Sequence, residues 1–308
     1  MVKSENRNKI TIFLIAAAVI FSFWFTGFSL PKLISRGSQF FVIIGKMFPP
    51  DINYLGKIIS PLLETIKMSF AGTFIGSLLA LIVAPFCAYN TVAPKWLCGL
   101  LKAVINILRA IPVLIIALAV SFIFGIGSFA GAFAIALYTF GIIARLTWKD
   151  AEHKTMDALV SAGIGKTKAF ANTVFIDIFP EYLSNCLYVL ESNVRHAAIL
   201  GYVGAGGLGL ILNEKISWGD YAKVGMILIM LFIVVFIIET ISSYLRRILN
   251  GSVQTTVLNK RIIFIVILSV ALLSMAAIDA PQITDLGIKV FKGIIYGILH
   301  PDMSLIFT

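Results

Sequence analysis

Charge is the scarcest thing in this sequence. Asp, Glu, Lys and Arg make up 13% of the 308 residues, against about 25% in a soluble domain. With 59% of the chain hydrophobic, a soluble globular class is excluded. Cysteine and histidine are scarce as well. Cys87, Cys98 and Cys186 lie in or beside apolar runs, without the spacing of a metal or redox site. They read as small buried hydrophobes. His153, His196 and His300 are too scattered for a metal centre. The acids within apolar segments are too few and too dispersed for an intramembrane enzyme, which needs a convergent nucleophile, base or metal. The phosphate-binding loop is missing too. Gly165-Lys166-Thr167 has Val160 where that motif needs a glycine, and it lies in a helical pattern. The chain therefore offers no loop of its own for ATP hydrolysis.

What is present is a series of membrane-length apolar runs. They lie near 10–30, 66–89, 110–127, 128–147, 181–203, 222–245 and 261–280. This predicts an all-α polytopic membrane protein. The first run is read as a retained anchor, because it lacks a small-x-small cleavage site and ends in Phe21, Phe23, Trp24 and Phe25. With the N-terminus inside, fifteen of the 25 Lys and Arg fall on inner segments and seven on outer ones. That bias predicts a cytoplasmic N-terminus. It also accounts for the net charge of +10 through loops facing anionic lipid, with no need of nucleic acid.

The end of the chain is similar to its beginning. Lys9-Ile10-Thr11-Ile12-Phe13 and Lys260-Arg261-Ile262-Ile263-Phe264 each open an apolar run. Pro31 and Pro281, then Pro50-Asp51 and Pro301-Asp302, follow in the same order. Two readings stand: the start of a second tandem copy, or the generic look of a span followed by an amphipathic helix. The organisation expected is an anchor and external segment over 1–60, a complete unit over 61–250, and an extra span over 251–308.

Three stretches carry the functional signal. In the first, Asp157-Ala158-Leu159-Val160-Ser161-Ala162-Gly163 falls in the longest inner segment, about 148–180. Ala158, Leu159 and Ala162 share a helix face. Gly163 and Gly165 are expected to end that helix in a tight turn. Phe170, Val174 and Ile178 then repeat at four-residue spacing, and Pro180 is expected to mark re-entry into the membrane. A short helix with small residues at its tip suits docking into another protein's cleft, or else rests on the membrane surface.

The second stretch is Glu191-Ser192-Asn193-Val194-Arg195, inside a span. Glu191 and Arg195 are one turn apart in the favourable order. Either Arg195 faces a pathway and offsets a passing anion, or the pair neutralises itself while Asn193 bridges to another helix. Glu239 is expected to cap its span or pair with Arg246 or Arg247. The third stretch, Gly201 to Gly209, holds five glycines. Gly204, Gly206, Gly207 and Gly209 would narrow a path, reach an external partner, or let helices pack closely.

The inner loop resembles the coupling loop of ABC-importer permeases, with Asp157-Ala158-Leu159 at its Glu-Ala-Ala and Gly163 at its glycine. The family's proline position is Ile176 here, and Pro180 is the proline present. Arg109-Ala110-Ile111-Pro112, Gly125-Ile126-Gly127-Ser128-Phe129-Ala130-Gly131 and Ala134-Ile135-Ala136-Leu137-Tyr138-Thr139-Phe140-Gly141 resemble phosphonate-type permeases over about 60–250. So do the charged stretch, the glycine stretch, and Glu239, Ser242, Ser243 and Arg246. The glycine stretch is shared with methionine-type permeases.

The resemblance implies a helical bundle of the methionine-type permease fold with a coupling helix. It implies two ATPase subunits that bind ATP, a solute-binding protein and a second permease domain, with no cofactor in this chain. The location implied is the plasma membrane of a prokaryote. The substrate implied is phosphonate or a related oxyanion, the alternatives being phosphite, a phosphate ester or methionine. A secondary transporter is the reading from a different class. The coupling loop implied comprises Asp157, Ala158, Leu159, Ala162, Gly163 and Pro180. The path candidates are Glu191, Asn193, Arg195, Gly204, Gly206, Gly207 and Gly209.

Overall fold

In the computed structural model, described for residues 2–88, 93–153, 157–253, 257–278 and isolated positions between 287 and 300, every regular element is helical. The chain divides into two units, residues 1–49 and 50–308. The first unit is a bent helical pair. Helix α1 (Val2–Phe25) and α2 (Leu30–Lys46) meet at 73°. Ser29 caps α2 by accepting from the Lys32 amide at 3.4 Å, and Pro31 occupies its first turn, where a missing N–H costs nothing. No side chain of α2 is buried.

The second unit is built on α3 (Leu55–Cys87) and α6 (Ser128–Glu152). At 33 residues, α3 is about 50 Å long. It starts well before the apolar run at 66–89, because amphipathic turns precede that run. Gly72 and Gly76 put no side chain between the two helices. A Cβ at 72 would lie 2.6 Å from the Ala132 carbonyl oxygen, and one at 76 would run into that of Ala136. This small-xxx-small spacing lets backbones touch, which supplies the packing that apolar surface alone does not give in lipid.

Helix α4 (Lys95–Ala110) turns through 90° into α5 (Val113–Phe124). Pro112 enforces the break: it holds Ile111 in an extended conformation (φ −83°, ψ 123°). The expected span at 110–127 is therefore a 12-residue helix of about 18 Å, too short to cross by itself. After α6 come α7 (Asp157–Ser161), α8 (Lys166–Ala169), a π-turn over Phe170–Val174, and α9 (Phe175–Leu200). Helix α10 (Leu208–Ser217) folds back at 51° from the preceding segment. Helices α11 (Tyr221–Leu249) and α12 (Val257–Ala276) follow.

Among the described residues, three helices are long and apolar enough to cross a membrane, or six if each bent pair counts as one span. Of the final run at 261–280, the structure describes an apolar helix over Ile265–Ala276. Helix α12 packs on α3 and buries Ala271 and Ser274. Pro281, Pro301 and Asp302 lie outside the described residues. The core forms two clusters. One joins Ala84, Ile105, Ile143, Trp148, Val174, Ile178 and Tyr182; the other joins Met68, Ile116, Val120, Ile135, Leu200 and Ala205.

Candidate functional site

Helix α9 carries the polar centre of the bundle. Asn193 is fully buried, and its Nδ2 donates to Thr73 Oγ1 on α3 and Thr139 Oγ1 on α6, both at 2.8 Å. One amide thus ties three helices. Ser69 Oγ adds a contact to the Asn193 carbonyl at 3.5 Å. Asn193 Oδ1 has no partner among the described residues. Its place is the bundle interior, where its amide bridges α9 to α3 and α6.

Glu191 sits two residues earlier with its side chain 8% exposed. Its Oε1 accepts from both terminal nitrogens of Arg195 at 3.1 Å, and its Oε2 accepts from Arg246 Nη1 at 3.2 Å. The expected i,i+4 pair exists, with a second arginine added from α11. Arg246 does not pair with Glu239, which is exposed and makes no ion pair among the described residues. Those two are seven positions apart, about 10.5 Å along the helix, beyond the one-turn spacing that brings side chains together. Glu191 with two guanidiniums leaves one net positive charge, and Arg195 is 44% exposed. The Arg246 guanidinium also lies 5.7 Å from the Tyr188 ring. His196 packs edge-on against Tyr138 at 5.0 Å between ring centres.

The glycine stretch is inside the fold. Gly206, Gly207 and Gly209 are buried, as are Ala205 and Leu208 at 0% exposure; Gly204 is half-buried and Tyr202 is the exposed side chain of the turn. Gly207 has φ +70°, and a Cβ there would lie 2.6 Å from Thr65 Oγ1. That hydroxyl accepts the Leu208 amide at 2.8 Å, tying the start of α10 to α3. The Gly204 carbonyl accepts from the Gly127 amide at 3.0 Å. At Gly209 a Cβ would meet the Ala198 carbonyl oxygen. Close packing is the environment the structure gives these glycines.

The loop between α6 and α9 is the opposite case. Helix α7 ends in a Schellman motif: Gly163 N–H donates to Val160 O and Ile164 N–H to Leu159 O, each at 3.0 Å, with Gly163 at φ +84°. Leu159, Val160 and Ile164 pack onto the core beside Trp148 and Val174. Ser161, Ala162, Gly163 and Gly165 stay exposed. Leu159 and Ala162 therefore do not share an outward face, because α7 is only five residues long and Ala162 lies beyond it. The side chains of Asp157 and Ala158 lie outside the described residues.

Phe170, Val174 and Ile178 are buried as their spacing predicts. Pro180 does not set a break after the loop: it is the sixth residue of α9, inside the helix, past the first turn whose amides have no intrahelical partner. The α3 partners Thr65, Ser69, Thr73, Gly72 and Gly76 lie outside the three stretches that carry the functional signal in the sequence. The Gly-x-x-x-Gly spacing was the available signal.

A family model for the binding-protein-dependent transport system inner membrane component matches residues 72–255. The chain is 27% identical over 238 residues to the phosphite transport system permease protein PtxC of Stutzerimonas stutzeri, covering 76% of this chain and 86% of that protein. It is 30% identical over 223 residues to the putative phosphite transport system permease protein HtxC of the same organism, covering 71% and 77%. It is 27% identical over 249 residues to the phosphate-import permease protein PhnE of Mycolicibacterium smegmatis, covering 80% of this chain and 47% of that protein. A crystal structure of the MetNI methionine ABC transporter in an inward-facing conformation superposes with a TM-score of 0.58 at 21% identity, covering 66% of this chain and 100% of that one. This likeness shows the fold. With the helical bundle and the family match together, the chain belongs to the binding-protein-dependent transport system inner membrane components and is the permease subunit of an ABC importer.

Proposed function

We propose that this permease imports an oxyanion of the phosphonate–phosphite type. The observation that carries the reading is the Glu191–Arg195–Arg246 group, where one carboxylate faces two guanidiniums and Arg195 remains 44% exposed. A planar guanidinium presents paired donors that suit phosphonyl oxygens, and the residual positive charge offsets an anion in a low-dielectric passage. The names of the relatives point to the same substrate chemistry.

ATP is hydrolysed by partner subunits that seat against the 157–163 turn. The turn supports this through its exposed small residues on a rigidly anchored base. The N-terminus and that turn share the cytoplasmic side of a prokaryotic plasma membrane, and a solute-binding protein delivers substrate from outside. A second permease domain, identical or separate, completes the passage. Residues 61–250 form the transport unit, with 1–60 and 251–308 as additions to it.

The test is uptake by proteoliposomes holding the permease, its ATPase and its binding protein. Phosphite, methylphosphonate and methionine are supplied in turn. ATP-dependent uptake of the phosphorus oxyanions, and not of methionine, is expected. Uptake driven by an ion gradient without ATP would overturn the coupling. Uptake of methionine alone would overturn the substrate class.

A further inference from the structure

The motif Arg109-Ala110-Ile111-Pro112 does more than bend the chain between α4 and α5. Its arginine lines a cleft of about 420 Å³ with Asn106, Ala110, Arg145, Trp148 and Lys149. Three cations and no acid line this cleft. None of the three makes an ion pair among the described residues. Arg109 Nε is buried without a hydrogen-bond partner. The acid at the end of α6, Glu152, is held by Lys102 at 2.7 Å. Lys102 in turn lies 5.8 Å from the ring of Trp148, which is 4% exposed.

Arg109 is positioned by the fold. Its stem crosses α6 at Gly141, where a Cβ would lie 2.8 Å from Arg109 Cγ. Any larger residue at 141 would push the guanidinium out of the cleft. Helix α4 is two-faced. Trp96, Leu100, Val104 and Ile107 form one exposed apolar stripe, while Cys98 and Ile105 are buried on the other side. A helix of this kind suits a membrane interface, which would set Arg109 at headgroup depth beside α6.

We propose that the cleft between α4 and α6 binds a phosphate-type oxyanion through Arg109, Arg145 and Lys149, on the ATPase side of the membrane. The side rests on the coupling-loop reading, because α6 runs directly into that loop; the binding itself does not. Partly desolvated like charges repel one another, and an anion that pairs with both guanidiniums removes that cost. Two sources share this chemistry. One is the headgroup of an anionic phospholipid, which basic pockets at the cytoplasmic interface bind. The other is a free phosphate-type anion in the aqueous phase, such as cargo leaving the passage.

The intact chain in nanodiscs tests this without transport or ATPase. In phosphatidylcholine discs, radiolabelled inorganic phosphate is titrated by equilibrium dialysis. In discs with one phosphatidylglycerol per four lipids, retained lipid is counted by native mass spectrometry. Saturable phosphate binding that weakens by about tenfold in Arg145→Gln assigns the site to free anion. Phosphatidylglycerol retention lost in Arg145→Gln, with no phosphate binding, assigns it to a headgroup. Arg145→Lys should keep part of the effect.

Should Arg145→Gln fail to give monodisperse helical protein, the exposed Lys149→Gln serves in its place, with about a threefold loss expected for a rim charge. Neither probe binding to the wild type, or binding unchanged in the folded variants, overturns the proposal. Persistence of binding in a protein that shows no ATP-driven uptake would instead count against the permease reading alone.

Discussion

Two turns in this molecule are built on glycine, and their surroundings are opposite. At Gly163 the backbone is left-handed and a Cβ would meet nothing within 4 Å. At Gly207 the backbone is also left-handed, but Thr65 Oγ1 stands 2.6 Å from the Cβ position, and at Gly209 the Ala198 backbone occupies it. The first turn needs glycine for conformation and keeps its surface free. The second needs glycine for space and has no free surface to offer. A buried turn of this kind sets where α9, α10 and α3 sit, whereas an exposed one can be read by a partner.

The same replacement at both turns breaks the comparison most sharply. Gly209→Val should destroy the fold, because the added carbons meet backbone rather than a yielding side chain. The cost is at the top of the about 1–3 kcal/mol range for overpacking, or beyond it. Size-exclusion profiles in detergent should show aggregate and no monodisperse peak. A monodisperse Gly209→Val protein would mean that α10 can shift away from α9.

The next effect concerns the charge group behind the buried turn. Glu191→Gln leaves two arginines without their carboxylate and should cost about 2 kcal/mol. This is below the about 3–5 kcal/mol of fully buried pairs, since Arg195 is 44% exposed. Thermal unfolding in detergent measures it. The triple replacement Glu191→Gln, Arg195→Gln, Arg246→Gln should regain most of that stability. If it regains uptake as well, Arg195 serves structure and not the passage of an anion.

Asn193→Leu removes both threonine hydrogen bonds and should cost about 1–2 kcal/mol, the usual scale for an interhelical polar contact in lipid. Uptake per folded molecule should be nearly unchanged, measured by normalising transport to the monodisperse fraction. A specific loss of uptake would place Asn193 in the passage rather than in the scaffold.

Gly163→Val should have the smallest effect on stability. Strain from φ +84° costs about 1–2 kcal/mol, and no neighbour is displaced. Membrane insertion should be unchanged and the melting temperature should fall by only about 2–4 °C per kcal/mol, while co-purification of the ATPase is lost. Retained ATPase binding would remove the functional half of the comparison.

The class of the protein was legible because lipid imposes its composition on any chain that crosses it. Scarce charge and membrane-length apolar runs fix an all-helical bundle, since no other secondary structure satisfies its backbone there at these run lengths. Local signals held where the physics is local. Gly163 ends α7 as expected, and Glu191 pairs with Arg195 across one turn. Phe170, Val174 and Ile178 bury together, as four-residue spacing requires.

The failures were all questions of which segments meet. A proline does not announce whether it breaks a helix, as Pro112 does, or sits inside one, as Pro180 does. Arg246 chose Glu191 over Glu239 because α9 and α11 pack together. Gly204 to Gly209 face inward because Thr65 and Met68 of α3 occupy the space in front of Gly207. The gathering of Arg109, Arg145 and Lys149 likewise needed the 90° turn of α4 and its close passage over Gly141. The sequence by itself determined the solvent, the helices and the one-turn contacts, because those depend on composition and on spacings of three and four. Only the tertiary structure decided which charges are paired and which glycines are covered, because side chains far apart in the chain become neighbours only when their helices pack.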